Sequence, residues 1–226
     1  EYVIYLKRSN AFLKMKESSG VDIYHAIQDV SQKRAAHFRD SDLLNAVAPE
    51  LYVYPIRYND QRNITRFFQF VFLESGQLSE SSPDQTMDAF PADGVVFCIL
   101  PSGEEDLTSL RRTVSERSLQ TERAVFVLPL QRTDIREQLH TLDAVQFLRE
   151  AARGDDLLFD EYDIIYQDLS EVVHRFISQY THPEKHAAEY FYHGVTRPLY
   201  RKANLSALLS EICDKVYAKT PVINNE

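Results

Sequence analysis

Glycine is scarce in this chain. Its 226 residues include six (Gly20, Gly76, Gly94, Gly103, Gly154 and Gly194), too scattered to build a phosphate cradle. A nucleoside-triphosphate site needs a glycine-rich loop whose backbone N–H groups wrap phosphate, followed by Lys and Ser or Thr. No segment reads G-x-x-x-x-G-K-[ST], and none reads G-x-G-x-x-G. Cysteine is scarcer still. Cys98 lies in an apolar run and Cys213 in a helical pattern, with no C-x-x-C pair. Both read as reduced core residues of a cytosolic protein. No apolar run approaches the roughly 18 to 20 residues of a membrane span. The N-terminus lacks the basic, apolar, small-residue order of a secretory signal, so the acceptor patterns at Asn63 and Asn204 are discounted as glycosylation sites. A G-x-S-x-G elbow, H-E-x-x-H and internal repeats are also missing. Basic excess is missing too: the net charge is -9, which argues against a free-standing nucleic-acid binder. Residues 1–39 depart from this, with seven Lys/Arg against four acids. They form either a local basic face or an ordinary solvated surface.

What is present is core-forming material, 44% hydrophobic and 12% aromatic residues. The stretch 94–130 organises it. Residues 94–100 are an apolar run ending at Pro101-Ser102-Gly103, and residues 104–118 keep a helical pattern with Leu107, Leu110 and Val114 on one side. Residues 124–128 are a second apolar run, closed by Pro129. Apolar run, helix, apolar run is the pattern of two parallel strands with a crossover helix. Strands buried on both faces read as continuous Val/Ile/Phe runs, as these do.

The other segments arrange themselves around this unit. Residues 2–6 and 11–16 read as strands, and 21–33 as a helix. Ser41 is placed to cap a short helix through Asn45. Residues 51–58 and 64–73 read as a hairpin about the turn residues 59–63, with Pro55 at an edge or bulge. Residues 75–88, rich in Ser, Asp, Glu and Gln, read as a linker loop. Thr133 or Asp134 opens a helix to about Arg153, stopped by Gly154. Residues 157–180 form another, with its acids early. An aromatic run with a turn at His193-Gly194 precedes a last helix opened by Asn204 or Ser206. The expected fold is α/β, with a parallel βαβ unit, an N-terminal α+β lobe and a helical C-terminal part. The expected domains are a lobe at 1–74, a linker at 75–88, and the unit plus helices at 89–226. The chain opens at Glu1 inside a strand-like run and stops abruptly at residues 222–226. It reads as a piece of a longer polypeptide, with proteolytic maturation as the alternative.

Four constellations carry chemistry. The turn at Ser102 and Gly103 precedes a helix N-terminus, and with Arg132 it marks the C-terminal ends of the two parallel strands, where open α/β sheets bind nucleotides or other anions. Against this, Glu104, Glu105 and Asp106 crowd the expected first turn with negative charge. His182, His186 and His193 form the densest histidine cluster. His182 and His186 at i, i+4, with Glu189 or His193, have metal-ligand spacing, but Pro183 follows His182 and favours a proline-capped solvated helix start. Asp155, Asp156, Asp160, Glu161 and Asp163 read as an acidic first turn, with a cation site as the alternative. Arg57, Arg62 and Arg66 flank the expected hairpin turn, and Arg197, Arg201 and Lys202 precede the last helix beside Tyr192. They are candidates for contact with a partner's carboxylates or a nucleic-acid backbone, against solvated charge.

Four stretches together carry a family resemblance. They are YVIYLKRSNAFLKMKESSGVDI at 2–23, YPIRYNDQRNITRFFQF at 54–70, NLSALLSEICDKVYAKTPVINNE at 204–226, and LQRTDIREQLHTLDAVQFLRE at 130–150. The chain resembles the region downstream of the nucleotide-binding core in large bacterial P-loop ATPases of anti-phage defence loci, of the BREX, Dnd-associated or RADAR kind. The resemblance implies a cytoplasmic, non-catalytic accessory or regulatory domain. It would mediate assembly or relay nucleotide state to other domains, other subunits or DNA, in an assembly that allows an oligomer. ATP and Mg would belong to the parent chain, with no cofactor in this one. A small α/β enzyme or nucleotide-binding protein with its site near Pro101 and Pro129 is the alternative from another class. A protein-interaction module using the surface around residues 190–200 is the third.

Overall fold

The computed structural model describes residues 22–80, 83–89 and 91–223. The strands expected at 2–6 and 11–16 lie outside them. The fold is α/β, built on a mixed six-stranded sheet whose spatial order follows the chain, β1 to β6. By contacts the chain divides into two compact units. Among the described residues, one comprises 22–43 and 134–176, the other 44–133 and 177–223.

The first unit is helical. It holds α1 (Ile23–Ala35), the start of α2 (Asp40–Val47), α7 (Arg136–Ala151) and most of α8 (Asp156–Thr181). Ile23 and Ile27 of α1 bury against Ala144 and Val145 of α7 and Tyr162 of α8. Asp22 caps α1 by accepting from the His25 N–H at 3.1 Å, and Asp155 caps α8 through the Leu158 N–H at 3.1 Å. Gly154, at φ +109, makes the left-handed step between α7 and α8. Ser41 is a correction. It is buried inside α2, which begins one residue earlier.

The second unit carries the sheet. Strands β2 (Phe68–Glu74), β3 (Gly94–Leu100) and β4 (Ala124–Pro129) are parallel neighbours. The βαβ reading of 94–130 therefore holds, with α6 (Leu107–Ser118) as its crossover helix. β3 and β4 are buried along their whole length. Register lines up Val71, Phe97, Phe126 and Phe191 on one face. Leu78, Met87, Leu110 and Val114 cover that face. Phe72, Cys98, Val127 and Tyr190 line the other, where Tyr180 of α8 meets Phe72 edge-on at 5.4 Å. Burial pushes the Cys98 thiol well above its ordinary range, so it acts as a small apolar side chain.

Three expectations give way. Residues 75–88 are no linker between lobes. They join adjacent strands β2 and β3 through α4 (Gln77–Glu80) and α5 (Pro83–Met87), and Leu78 and Met87 anchor them in the core. The N-terminal lobe is likewise not separate, because β1 (Tyr52–Val53) and β2 belong to the same sheet as the βαβ unit. The hairpin at 51–73 keeps its antiparallel pairing, Tyr52 with Gln69 and Val53 with Phe68, but its connection is the helix α3 (Ile56–Arg62) with Pro55 as its N-cap. Ser206 and Ser210 of α9 (Lys202–Val216) accept from the Ile56 and Tyr58 N–H groups at 3.1 and 3.4 Å, which satisfies donors that a helix start leaves open. Nor is the C-terminal part wholly helical. Residues β5 (Ala188–Tyr192) and β6 (Val195–Arg197) form a hairpin on β4, turning at His193 (φ 53) and Gly194 (φ 76). Two successive positive-φ residues suit the twist of a two-residue hairpin.

Because β1 pairs over two residues, asparagine side chains complete the outer edge of β2. The Asn45 carboxamide donates to the Phe72 carbonyl at 3.0 Å and accepts from its N–H at 2.8 Å. Asn59 does the same for Arg66, at 2.8 and 3.0 Å. Each replaces a missing strand neighbour.

Gly94 opens β3 where a Cβ would lie 2.6 Å from the Arg123 carbonyl and 2.2 Å from the Phe68 ring. The backbone oxygen cannot move without breaking the β3–β4 ladder. Gly94→Ala is expected to destabilise the chain by about 2–3 kcal/mol through overpacking, read as a lowered urea midpoint at unchanged m-value.

Candidate functional site at the ends of the strands

The parallel strands end together at Ser75, Pro101 and Pro129. From β3 the chain passes to α6 on the first face. After β4 it re-enters this unit at Ile177, and Tyr180 packs on the second face. Connections that part to opposite faces leave the opening in which open α/β sheets hold ligands. The structure brings the nominated residues together there. Ser75 Oγ donates to Ser102 Oγ at 2.9 Å and accepts from the Ser102 N–H at 3.1 Å. Gly103 adopts φ +51, and the exposed Arg132 guanidinium donates to its carbonyl. The acidic first turn is a correction. Helix α6 starts at Leu107, Glu104 and Glu105 lie ahead of it, and Asp106 is the N-cap. Backbone N–H groups of Thr108 and Ser109 hold the Asp106 carboxylate below its usual range. Ser75 had no motif to announce it. Only the pairing of β2 with β3 brings it beside Ser102.

The histidines divide. His182 and His186 flank a 3₁₀ turn (Pro183–Lys185), in keeping with the proline-capped reading. His193 sits at the far end of β5, seven residues of mostly extended chain from His186, or roughly 20 Å. It lines an open concavity of about 640 Å³ with Asp84, Asp88, Thr121 and Arg123, at the end of the sheet where β3 and β4 begin. Among the described residues no group of His, Cys, Asp and Glu is arranged to hold a metal ion. Burial, then the charges of Lys202 and Lys185, lower the His182 pKa. Of the acids, Asp163 pairs with Arg149 at 2.7 Å, Glu161 is buried, and Asp155 caps α8.

Most of the nominated arginines are internal ties. Arg57 and Arg62 both reach Asp214 of α9, Arg62 at 3.2 Å, and the Arg62 guanidinium lies 3.9 Å over the Tyr58 ring. Arg66 pairs with Asp93 and lies 3.6 Å over Tyr217. Arg197 pairs with Glu211 at 2.9 Å. Tyr192 is buried, its hydroxyl aimed at the Glu122 carbonyl at 3.4 Å. Tyr192 therefore offers no exposed ring to a partner, whereas Arg197 stays partly exposed in its ion pair with Glu211. Arg201 and Lys202 differ: both are exposed at the start of α9.

Compared with protein-family models, curated proteins and solved structures, the chain matches none. Among the described residues no helix is long and apolar enough to cross a membrane.

Two outcomes follow from these contacts. The Arg62 side chain is 9% exposed and that of Arg57 is 47%. Removing the shared carboxylate by Asp214→Ala leaves a nearly buried charge unpaired and is expected to destabilise by about 3 kcal/mol. Arg57→Ala is expected to lie within about 1 kcal/mol of the parent, both read by urea unfolding. His182 is expected to titrate below the usual histidine range in an NMR pH series, and Lys202→Gln to raise it. With a depressed folded pKa the folded state resists protonation. Stability is then lost as pH falls through the ordinary histidine range, and the loss levels off below the folded pKa.

Proposed function

We propose that this chain is a non-catalytic assembly or relay domain of a large intracellular P-loop ATPase from a bacterial anti-phage defence system. The observation that carries the reading is the open edge of the sheet. Tyr52, Tyr54 and Ile56 follow one another along β1 and into α3, with Tyr54 42% and Ile56 58% exposed, and the Tyr52 ring lies 5.0 Å from Phe67. Exposed apolar side chains running from the short edge strand into α3 suit a protein partner through side-chain burial, the Tyr54 carbonyl and Ile56 N–H being already bonded to Ser206. Arginine ties join α3 to α9, and Arg66 ahead of β2 to Asp93, a bracing that a relay would need. The family resemblance supplies the parent assembly, with ATP and Mg bound elsewhere in it. The second reading, an anion or nucleotide bound by this chain, is favoured by one observation, the gathering of Ser75, Ser102, Gly103 and Arg132 at the strand ends.

One comparison separates them: ATP binding and hydrolysis by the chain alone and by the parent polypeptide, each with and without Tyr54→Asp plus Ile56→Asp. The expected result is no turnover by the chain alone, and at least a fivefold loss of assembly or turnover in the doubly substituted parent (on the order of 1 kcal/mol, as for one interface anchor). Nucleotide binding by the chain alone that Arg132→Ala abolishes would overturn the proposal in favour of the strand-end site.

A further inference from the structure

The two halves of a second surface are far less obvious in the sequence than in space. The 3₁₀ turn at Pro183–Lys185 packs against α9, at whose start Tyr200, Arg201 and Lys202 stand. The His186 imidazole lies 6.0 Å from the Tyr200 ring, tilted by 51°. Tyr200 is 60% exposed, and Lys185, His186, Arg201 and Lys202 are exposed with it. Among the described residues Lys185, Arg201 and Lys202 form no ion pair, unlike Arg57, Arg62, Arg66 and Arg197. Glu184 is the one acid on either turn.

Both turns are pinned. Asn204 Oδ1 accepts from the N–H groups of Tyr200 and Arg201 at 3.3 and 3.0 Å. His186 holds a left-handed conformation (φ 50), its N–H donating to the Pro183 carbonyl at 3.0 Å. The rings and cations therefore sit on a backbone that needs little ordering on binding. Burial chiefly lowers the His182 pKa, with Lys202 and Lys185 adding to it and Glu184 opposing them.

We infer that the surface formed by Lys185, His186, Tyr200, Arg201 and Lys202 binds single-stranded nucleic acid, the cations meeting phosphates and the Tyr200–His186 pair offering a ring face to an unstacked base. Cations beside an exposed aromatic are what sequence-tolerant single-strand binding uses. A duplex hides its base faces, and an acidic peptide has no base to stack. The net charge of -9 opposes a polyanion at long range, but at 0.1 M salt charges beyond about 10 Å are screened, so the local patch governs contact. This inference does not rest on the assembly reading, and its test uses the chain alone.

The probe is a fluorescein-labelled single-stranded oligothymidylate of about 12 nucleotides, within the usual range of single-strand site sizes. Anisotropy is measured with the 226-residue chain from about 50 to 200 mM salt, the range over which phosphate contacts lose most affinity. Binding that weakens steeply with salt is expected. Tyr200→Ala should weaken it at least about fivefold, and Arg201→Glu plus Lys202→Glu should flatten the log–log salt slope by about 1.4. All three positions are exposed, and circular dichroism is the check that each variant folds. No binding at the lowest salt overturns the inference. So does binding indifferent to Tyr200→Ala, or polyglutamate or a duplex of the same length bound as tightly as the single strand.

Discussion

Burial of β3 and β4 on both faces is the constraint on which the rest of the sheet-bearing unit depends. Their side chains offer no polar face to water, so each face must be covered. One is covered by the crossovers between parallel strands, through Leu78, Met87, Leu110 and Val114. Successive crossovers of one hand, stepping in one direction along a sheet, fall on one side of it. The second face is left to elements that follow β4, among them Tyr180, whose hydroxyl donates to the Ile99 carbonyl at 3.3 Å and whose own carbonyl accepts from Tyr190 at 2.9 Å. Burial raises both phenols well above their usual range, so these hydroxyls serve as donors and do not titrate. The change of face after β4 is thus a packing necessity, and it sets the geometry at the strand ends.

A similar economy governs charge. Cations that would look like a basic surface in the sequence are mostly consumed in closing the unit. Arg111 of α6 reaches Glu189 of β5 at 2.6 Å, and Arg66, Arg62 and Arg197 each secure an element to its neighbour. In the helical unit Arg34 grips Asp143 through two bonds of 2.6 and 3.0 Å and lies 4.9 Å over Phe147. Planar guanidinium groups make both contacts at once, which a lysine cannot.

Apolar runs and helical periods showed where β3, β4, α1, α6, α7 and α8 lie, since burial writes itself into local pattern. What stayed hidden depends on partners distant in sequence. Helix α3 looks like a strand because Ile56 and Tyr58 favour one, and the hydroxyls that make it a helix stand about 150 residues away. Residues 75–88 look like a linker because two apolar anchors, Leu78 and Met87, are lost among polar neighbours. The β5–β6 hairpin was half-legible: its aromatic run and His193-Gly194 turn were visible, its pairing with β4 was not. At the candidate site, Ser102, Gly103 and Arg132 could be named from the strand-end rule, whereas Ser75 needed the sheet order.

Pairing also ranks the remaining surfaces by what a ligand would have to undo. To meet a phosphate, Arg62 would leave a carboxylate and an aromatic ring and expose a nearly buried side chain, a loss that exceeds the roughly 1 kcal/mol that a surface ion contact returns. Arg132 gives up one exposed bond to a carbonyl. Arg201 and Lys202 give up no ion pair among the described residues, and the N–H groups of Tyr200 and Arg201 are already held by Asn204. Among these nominated cations, charge left uncommitted by the fold therefore lies at the strand ends and at the start of α9, and not where the sequence is richest in arginine.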